Sequence, residues 1–323
     1  MHFNGFLLFF LGFAGTILAD SVDNLLSRYN RPFTLLSIGK NVGYFVAEKS
    51  PCYLESTFVI LEKAPGNEKI LSSQKNVIWM NHKLLFSEVQ DLTSCEHVDI
   101  LLLSNSLPMF CPNWDKALKL FQRMAHRVIV QLPNEQTEYL DPMHTYLLQQ
   151  SVEVYKEGSL ISYILESHNP FHLAKTTLIH PRKMRWSYEI YCDYSQKYLK
   201  KVRPHWTVTN PWIPGINMMT FLIYNGTIPS RSQILAHLPL DPQHNDWVPN
   251  NMIVQGSDIL LIDKEDPVSG AVIPDGGERF RNMEAKLRTF ISTTANLSPP
   301  KVRENFISIY NWGKYFDQTE IEE

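Results

Sequence analysis

Five short, nearly continuous apolar runs in the first 135 residues constrain the fold of this chain more than any other feature. The runs are Phe33–Ile38, Phe58–Leu61, Asn76–Met80, Asp99–Leu103 and Arg127–Leu132. Strands that are apolar at successive positions are buried on both faces, which is typical of a parallel sheet with helices on either side. Between the last two runs, apolar residues recur at helical spacing, at Ala117, Leu118, Phe121 and Met124. The pattern predicts an α/β fold with a doubly wound, mostly parallel, Rossmann-like sheet, whose ligands bind at the carboxyl ends of the strands.

The length and charge of the chain set the domain count and exclude some partners. At roughly 150 residues per domain, 323 residues correspond to about two domains. We predict a Rossmann-like domain over residues 21–165 and a C-terminal α+β extension over residues 166–323. The formal net charge of −3, from 30 basic and 33 acidic residues, gives no reason to expect nucleic acid as a partner.

Residues 1–20 contain an almost wholly apolar segment, Phe3–Ala19, which predicts a signal peptide or a membrane anchor. Ala19 stands at the position expected for cleavage, whereas the residues before the segment include no Lys or Arg. Three alternatives remain open: a cleaved signal, an uncleaved anchor that associates the chain with a membrane, and a buried N-terminal helix. The first predicts a secreted or periplasmic protein and the second a membrane-anchored one.

Four scattered cysteines leave the redox compartment open. Cys52, Cys95, Cys111 and Cys192 form no C-x-x-C pair and have no zinc-ligand spacing. Disulfides in an exported chain and buried free thiols are both compatible with this pattern.

Three of the predicted strands end in residues suited to bind a ligand. The first is followed by Gly39, Asn41 and Gly43, and glycine lets a backbone turn tightly and approach a ligand closely. The second ends at Glu62, which is 62 − 39 = 23 residues past Gly39. An acidic residue about 20 residues past such a turn is the usual acceptor for ribose hydroxyls. The fourth strand ends at Ser104, the last of the candidate binding residues.

Residues 33–133 resemble the class I S-adenosylmethionine-dependent methyltransferases, in which a G-x-G-x-G turn follows the first strand and an acid ends the second. The resemblance places Gly39, Asn41 and Gly43 on the three glycine positions and Glu62 on the ribose-binding acid. It implies the Rossmann-like methyltransferase fold, S-adenosylmethionine as cofactor, and methyl transfer to a small-molecule acceptor that the sequence does not identify.

Two departures from the family pattern bear on the activity. Ser37 stands where the family has an acid that contacts the methionine end of the cofactor, and Asn41 replaces the middle glycine. A non-catalytic exported protein on a decayed methyltransferase fold is therefore an alternative to an active methyltransferase. Ser104 keeps a cofactor-binding role in the active alternative.

The segment His244–Asp266 resembles the catalytic segment of aminoglycoside phosphotransferases and choline kinases, with H-x-D-x-x-x-x-N followed by an apolar strand and an Asp. The resemblance implies a catalytic base at Asp246 and magnesium ligands at Asn251 and Asp263, and hence a small-molecule phosphotransferase activity. The alternative is a hairpin in which these side chains stabilise turns.

Two helices are predicted in the C-terminal half. Tyr194–Val202 is a candidate basic helix, and Glu278–Thr294 an amphipathic one with Met283, Leu287, Phe290 and Ile291 facing inward. The sequence contains neither G-x-x-x-x-G-K-[ST] nor G-x-S-x-G, which disfavours a P-loop NTPase and an α/β-hydrolase.

Overall fold

The computed structural model of the chain describes eleven stretches of residues. They are 19–40, 42–63, 68–135, 137–167, 172–175, 189–193, 197–203, 206–211, 213–239, 247–261 and 276–310. The apolar segment predicted as a signal or anchor falls outside these stretches, except for its last residue, Ala19. Among the described residues, no helix combines the length and apolarity needed to cross a bilayer.

The five predicted strands form the centre of an eight-stranded sheet. They are β1 (Thr34–Gly39), β2 (Thr57–Leu61), β3 (Val77–Met80), β4 (Val98–Ser104) and β5 (Ala125–Pro133). All five are parallel, in the order β3-β2-β1-β4-β5. The order reverses between β1 and β4, which is the topological switch point of a doubly wound sheet. The predicted α/β, mostly parallel architecture is therefore confirmed.

Three antiparallel strands extend the sheet at its two sides. A hairpin of β6 (Glu153–Glu157) and β7 (Leu160–Glu166) adds to β5, with β7 next to it. On the other side β13 (Gly226–Ile228) pairs with β3. The C-terminal half thus contributes a strand to the main sheet. The domain boundary near residue 165 remains a prediction from the sequence.

Helices cover both faces of the sheet because the strands are apolar at successive positions. Their bounds are α1 (Ala19–Leu26), α2 (Val42–Lys49), α3 (Glu68–Leu71), α4 (Phe86–Cys95), α5 (Trp114–Met124), α6 (Asp141–Gln150), α7 (Met218–Ile223), α8 (Arg231–Ala236), α9 (Gly276–Thr293) and α10 (Pro299–Tyr310). Leu35 of β1 packs with α1 and α2, whereas its neighbour Leu36 packs with α5 and the C-terminal helices. We call these two sides the α1 face and the α5 face.

The apolar stripes predicted for two helices are confirmed. On α5 the residues Ala117, Leu118, Phe121 and Met124 are all buried. On α9 the residues Leu287, Phe290 and Ile291 are buried, and Met283 packs against the same core. Both helices lie on the α5 face, where their stripes match the apolar residues of the strands.

The C-terminal segment docks at the amino ends of the parallel strands. There β12 (Ile216–Asn217), β14 (Met252–Gln255) and β15 (Asp258–Leu261) form an antiparallel sheet. The Gly215 N–H donates to Thr34 Oγ1 at the start of β1, over 2.8 Å. The remaining strands, β8 (His172–Lys175), β9 (Glu189–Asp193), β10 (Lys197–Arg203) and β11 (Trp206–Pro211), form a separate antiparallel sheet.

Two sequence-based expectations need correction. The basic helix predicted over Tyr194–Val202 is wrong where the chain is described, because β10 is a strand paired with both β9 and β11. Pairing on both sides satisfies its backbone and overrides the weak helical preference of its lysines. The expectation of buried free thiols is wrong for Cys52 and Cys111, because both are free but exposed.

Candidate functional site

Three of the candidate residues meet at one edge of the sheet. Gly39 is the register partner of Ser104 on the adjacent strand β4, and Ile38 is the partner of Leu61, so Glu62 follows directly on β2. Gly39, Glu62 and Ser104 therefore all lie at the carboxyl edge of the sheet, while their role in binding a cofactor stays a prediction. Because β1 and β4 flank the switch point, this edge is where doubly wound sheets bind their ligands.

Gly39 allows β1 and β4 to approach each other at this edge. It has a φ of +132°, a conformation that side chains disfavour. A Cβ atom at this position would lie 2.1 Å from the carbonyl oxygen of Ser104 and 3.3 Å from Cβ of Ser106. Only glycine is compatible with this contact, so the residue type that the sequence pattern singled out is required by the structure.

A row of small or polar residues crosses four strands on the α1 face. Leu35, Leu102 and Ile129 belong to the α1-face core, and alternation along each strand places Gly39, Ser104 and Gln131 on that face. The polar row, as we call it, consists of Gly39, Ser104, Gln131 and Ser162, which are register partners in that order. The row runs from the switch point away from Glu62.

Three buried polar atoms near this edge have no hydrogen-bond partner within the described part of the chain. They are Ser37 Oγ, Ser106 Oγ and Gln131 Oε1. Leaving a buried polar atom unpaired costs about 1–3 kcal/mol, and native proteins leave few of them. The three atoms are buried in the ligand-free fold, and other polar atoms of the described chain, such as Thr57 Oγ1 at the amino edge, are buried and unpaired in the same way.

Glu62 is fixed through its backbone. Its N–H donates to the Met80 carbonyl over 3.2 Å, and its own carbonyl accepts from Trp79 Nε1 over 2.9 Å. The residue is half-buried. The main chain of Glu62 is thus held against β3 at the carboxyl edge, beside the switch point.

The other two positions of the glycine motif are only partly described. Gly43 is buried in the first turn of α2, which begins directly after the edge. Asn41 lies outside the described residues. The N-terminus of α2 therefore faces the same edge as Gly39, where its free backbone N–H groups favour negative charge.

Asn251 lies at the opposite end of the sheet. It ends the short 3-10 turn Pro249–Asn251, is buried, and leads into β14. Asn217, whose N–H donates to the Glu96 carboxyl over 2.9 Å, binds the adjoining Asn250 carbonyl through Nδ2. Because Glu96 precedes β4, this group lies at the amino edge, away from Gly39.

The remaining phosphotransferase residues, Asp246 and Asp263, lie outside the described residues. The apolar hairpin predicted after Asn251 is present as β14 and β15. Within the described chain, no three His, Cys, Asp or Glu side chains converge as a metal site would require.

Sequence reasoning did not single out Gln131 and Ser106, which lie next to Ser104 and Gly39 in the structure. Gln131 interrupts the apolar run of β5, and a polar residue inside a doubly buried strand is the signal that could have singled it out. Ser106 follows β4 and had no such signal, because its place beside Gly39 depends on the register of two strands that are distant in sequence.

Comparison with known proteins assigns no family to the chain. No protein-family model matches it, and no curated protein matches it. Matches exist among solved structures, over parts or most of the chain.

Three of the solved structures illustrate this likeness. An O-methyltransferase family protein from Burkholderia thailandensis has 11% identity and a TM-score of 0.35 over 47% of this chain and 57% of its own. The bifunctional kinase-methyltransferase WbdD has 14% identity and a TM-score of 0.36 over 92% and 88%. Human methyltransferase-like protein 13 in complex with SAH has 14% identity and a TM-score of 0.33 over 48% and 79%. The chain thus spans a little over half the length of the first protein. Identities and TM-scores this low assign no activity. Any functional proposal therefore rests on the residues of this chain itself.

Proposed function

We propose that the carboxyl edge at Gly39 binds S-adenosylmethionine and that the protein is a methyltransferase acting on a small molecule. The observation that carries the proposal is the close approach of Gly39 to Ser104 at the switch point, which no residue with a side chain permits. The residues present fit such a cofactor. An acidic residue stands at the end of β2 for a ribose, and Gly39 ends the adjacent strand β1 in a close contact with Ser104 beside it.

Each residue has a role that follows from its position. The Glu62 carboxylate accepts hydrogen bonds from the two ribose hydroxyls, and Gly39 lets β1 end against the Ser104 carbonyl at the same edge. Ser104 contributes a hydroxyl at the entrance of the polar row. Asn41 and Gly43 take the remaining positions of the glycine motif by resemblance alone.

Methyl transfer depends mainly on how the two reactants are positioned. The bound cofactor supplies an electrophilic methyl group, and the acceptor must approach that group in line. Holding two reactants in such a geometry accounts for a large part of the rate enhancement of enzymes. The role of the described residues is accordingly to bind and orient both ligands at the carboxyl edge.

Isothermal titration calorimetry with S-adenosylhomocysteine tests the proposal. The unmodified protein should bind it, and Glu62→Ala should weaken binding by about 1.5–3 kcal/mol, as expected for hydrogen bonds to a charged acceptor. Glu55→Ala is a matched control, because this exposed carboxylate lies just before β2 at the amino edge and should leave binding unchanged. If the unmodified protein does not bind the ligand, the proposal is wrong and the non-catalytic alternative stands.

A phosphotransferase activity through Asp246, Asn251 and Asp263 is the second proposal. It is favoured by the hairpin that begins beside buried Asn251, in the place the resemblance requires. Magnesium or manganese should then raise the melting temperature, because a ligand of the folded state stabilises it by mass action. Asp246→Ala should abolish this rise, whereas Asp258→Ala, which changes an exposed residue of the same hairpin, should retain it. A melting temperature that does not respond to either metal contradicts this second proposal.

A further inference from the structure

Exposed apolar side chains are grouped at the carboxyl edge of the main sheet. Four large ones lie past the ends of the parallel strands: Tyr44 after β1, Leu85 after β3, Met109 after β4 and Tyr139 after β5. Their exposed fractions are 48%, 52%, 42% and 58%. Single exposed apolar residues need no explanation, but several at one edge of a fold mark an interaction surface.

Three exposed lysines lie at the same edge. Lys40 and Lys63 follow the ends of β1 and β2, and Lys83 lies shortly after β3, so each of three neighbouring strands leads into one lysine. Within the described residues none of the three has an ion-pair partner, whereas Lys49 at the other end of α2 is paired with two carboxylates. Neighbouring strands are about 5 Å apart, so the three positive charges are concentrated in a small area.

The charge of the carboxyl edge changes sign along the sheet. The turn after β4 carries no charged residue, and the segment after β5 carries two exposed acids, Glu135 and Glu138. Glu62 and Glu88 lie on the lysine side but are only half-exposed, and Glu88 is bound by His82 over 2.9 Å. A negatively charged partner would therefore contact the part of the edge from β3 to β4. We call the exposed residues of this part the basic rim: Lys40, Tyr44, Lys63, Lys83, Leu85 and Met109.

The mixed chemistry of the basic rim decides what kind of partner it fits. A small anion in solution would account for the lysines but not for the exposure of Leu85 and Met109. An apolar partner would account for these two side chains but would leave the lysines unpaired. The surface of a bilayer with anionic lipids suits both, because lysines extend toward the headgroups while aromatic and aliphatic side chains enter the interface.

We propose that the basic rim docks the protein on the surface of a membrane that contains anionic lipids. The lysine ammonium groups bind lipid phosphates and carboxylates, and Tyr44, Leu85 and Met109 enter the headgroup region. The contact is peripheral, and it turns the carboxyl edge toward the bilayer. Docking does not depend on the cofactor proposed above, so either proposal can fail without the other.

Sedimentation of the full chain with two kinds of vesicles tests the lysines. The protein should bind vesicles of phosphatidylcholine mixed with phosphatidylserine more strongly than vesicles of phosphatidylcholine alone, and added salt should reduce this preference. A lysine beside such a surface strengthens binding about fivefold. Replacing Lys40, Lys63 and Lys83 together by Ala should thus reduce the preference about 100-fold, and Lys63→Ala alone about fivefold.

Lys75→Ala is the matched control for the lysines. Lys75 is exposed like Lys63 but lies before β3, at the amino edge, and its replacement should leave the preference unchanged. The apolar segment Phe3–Ala19 does not obscure the comparison, because it contains no charged residue and cannot itself distinguish the two kinds of vesicles.

Fluorescence quenching by brominated phosphatidylcholine tests which edge faces the bilayer, even when another segment holds the protein on the vesicles. The emission that Leu85→Trp adds to that of the seven native tryptophans should be quenched on mixed vesicles. Leu54→Trp is its control, because Leu54 is 75% exposed but lies before β2, at the amino edge. Its added emission should not be quenched.

Three results would overturn the inference. They are an equal affinity of the unmodified protein for both kinds of vesicles, a preference that survives the triple lysine replacement or is lost equally in Lys75→Ala, and an unquenched tryptophan at position 85. None of these results bears on the binding of S-adenosylhomocysteine, which calorimetry measures without vesicles.

Discussion

The carbonyl oxygen of Ser104 lies where a side chain on Gly39 would begin. A Cβ atom on Gly39 would be 2.1 Å from that oxygen, and both residues end adjacent parallel strands. The contact brings the two strands flanking the switch point together at the one edge where such sheets bind ligands. It links a glycine visible in the sequence to a partner 65 residues later.

Gly39→Ala should therefore affect both stability and binding. The φ of +132° and the collision with Ser104 should together lower the free energy of unfolding by roughly 2 kcal/mol or more. Urea denaturation measures the stability, and calorimetry with S-adenosylhomocysteine measures the binding, which should be lost. Gly158→Ala is the control, since Gly158 has a φ of +58° in an exposed turn and should cost about 1 kcal/mol without weakening binding.

Gly256→Ala tests how the C-terminal hairpin docks on the sheet. Gly256 and Gly158 have nearly the same φ, +57° and +58°, but a Cβ on Gly256 would lie 1.6 Å from the Lys75 carbonyl oxygen. Gly256→Ala should cost clearly more than the 1 kcal/mol or so expected for Gly158→Ala, and urea denaturation measures the difference. Affinity for S-adenosylhomocysteine should stay unchanged, because the hairpin lies at the amino edge. Equal costs for the two variants would show that the hairpin does not press on Lys75.

Glu96 should make stability depend on pH. Complete burial is the main reason that the pKa of this carboxyl is raised from 4.5 to about 8 in the folded protein. The folded state keeps a proton that the unfolded state releases above pH 4.5. The free energy of unfolding should consequently be highest below pH 4.5, fall up to about pH 8, and level off above it.

Urea denaturation of Glu96→Gln at pH 5, 7 and 9 checks this dependence. The variant keeps an oxygen to accept from the Asn217 N–H but cannot ionise, so the loss of stability between pH 5 and 9 should be smaller than in the unmodified protein. Glu304→Gln, which changes an exposed residue of α10, should follow the unmodified protein. Identical slopes in all three proteins would contradict the role of Glu96.

Asp99 should be the most costly ion-pair residue to remove at the amino edge. It is 2% exposed, binds Arg31 Nη2 through Oδ1 over 2.6 Å, and accepts from the Thr34 N–H through Oδ2 over 2.7 Å. Asp99→Ala should lower the free energy of unfolding by about 3 kcal/mol, because it leaves a poorly exposed guanidinium and a buried N–H unpaired. Asp115→Ala, which breaks an exposed pair with Lys119, should cost less than about 1 kcal/mol by the same denaturation measurement.

The sequence predicted the central architecture because its signal is local. Each run of apolar residues by itself indicates a strand that is buried on both faces. The apolar stripe of α5 likewise indicates which side of that helix faces the core. Because all five strands run parallel, their carboxyl ends had to meet at one edge. The grouping of Gly39, Glu62 and Ser104 followed without further information.

The basic segment in β10 shows where local reasoning fails. Lys200 and Lys201 favour a helix weakly, whereas hydrogen bonds from two neighbouring strands satisfy the backbone on both sides. Those partners are set by pairing between segments that no local pattern encodes.

What the sequence determined by itself was the set of strands and the residue types at their ends. Only the tertiary structure decided which of those ends are in contact, since Ser104 and not Glu62 contacts Gly39. It also decided that Gln131 belongs to the polar row and that Asn251 lies at the opposite edge. The reason is physical. Local periodicity indicates which side chains are buried. The register and order of strands depend instead on backbone hydrogen bonds between distant segments. Register and strand order therefore decide which polar groups can meet a ligand.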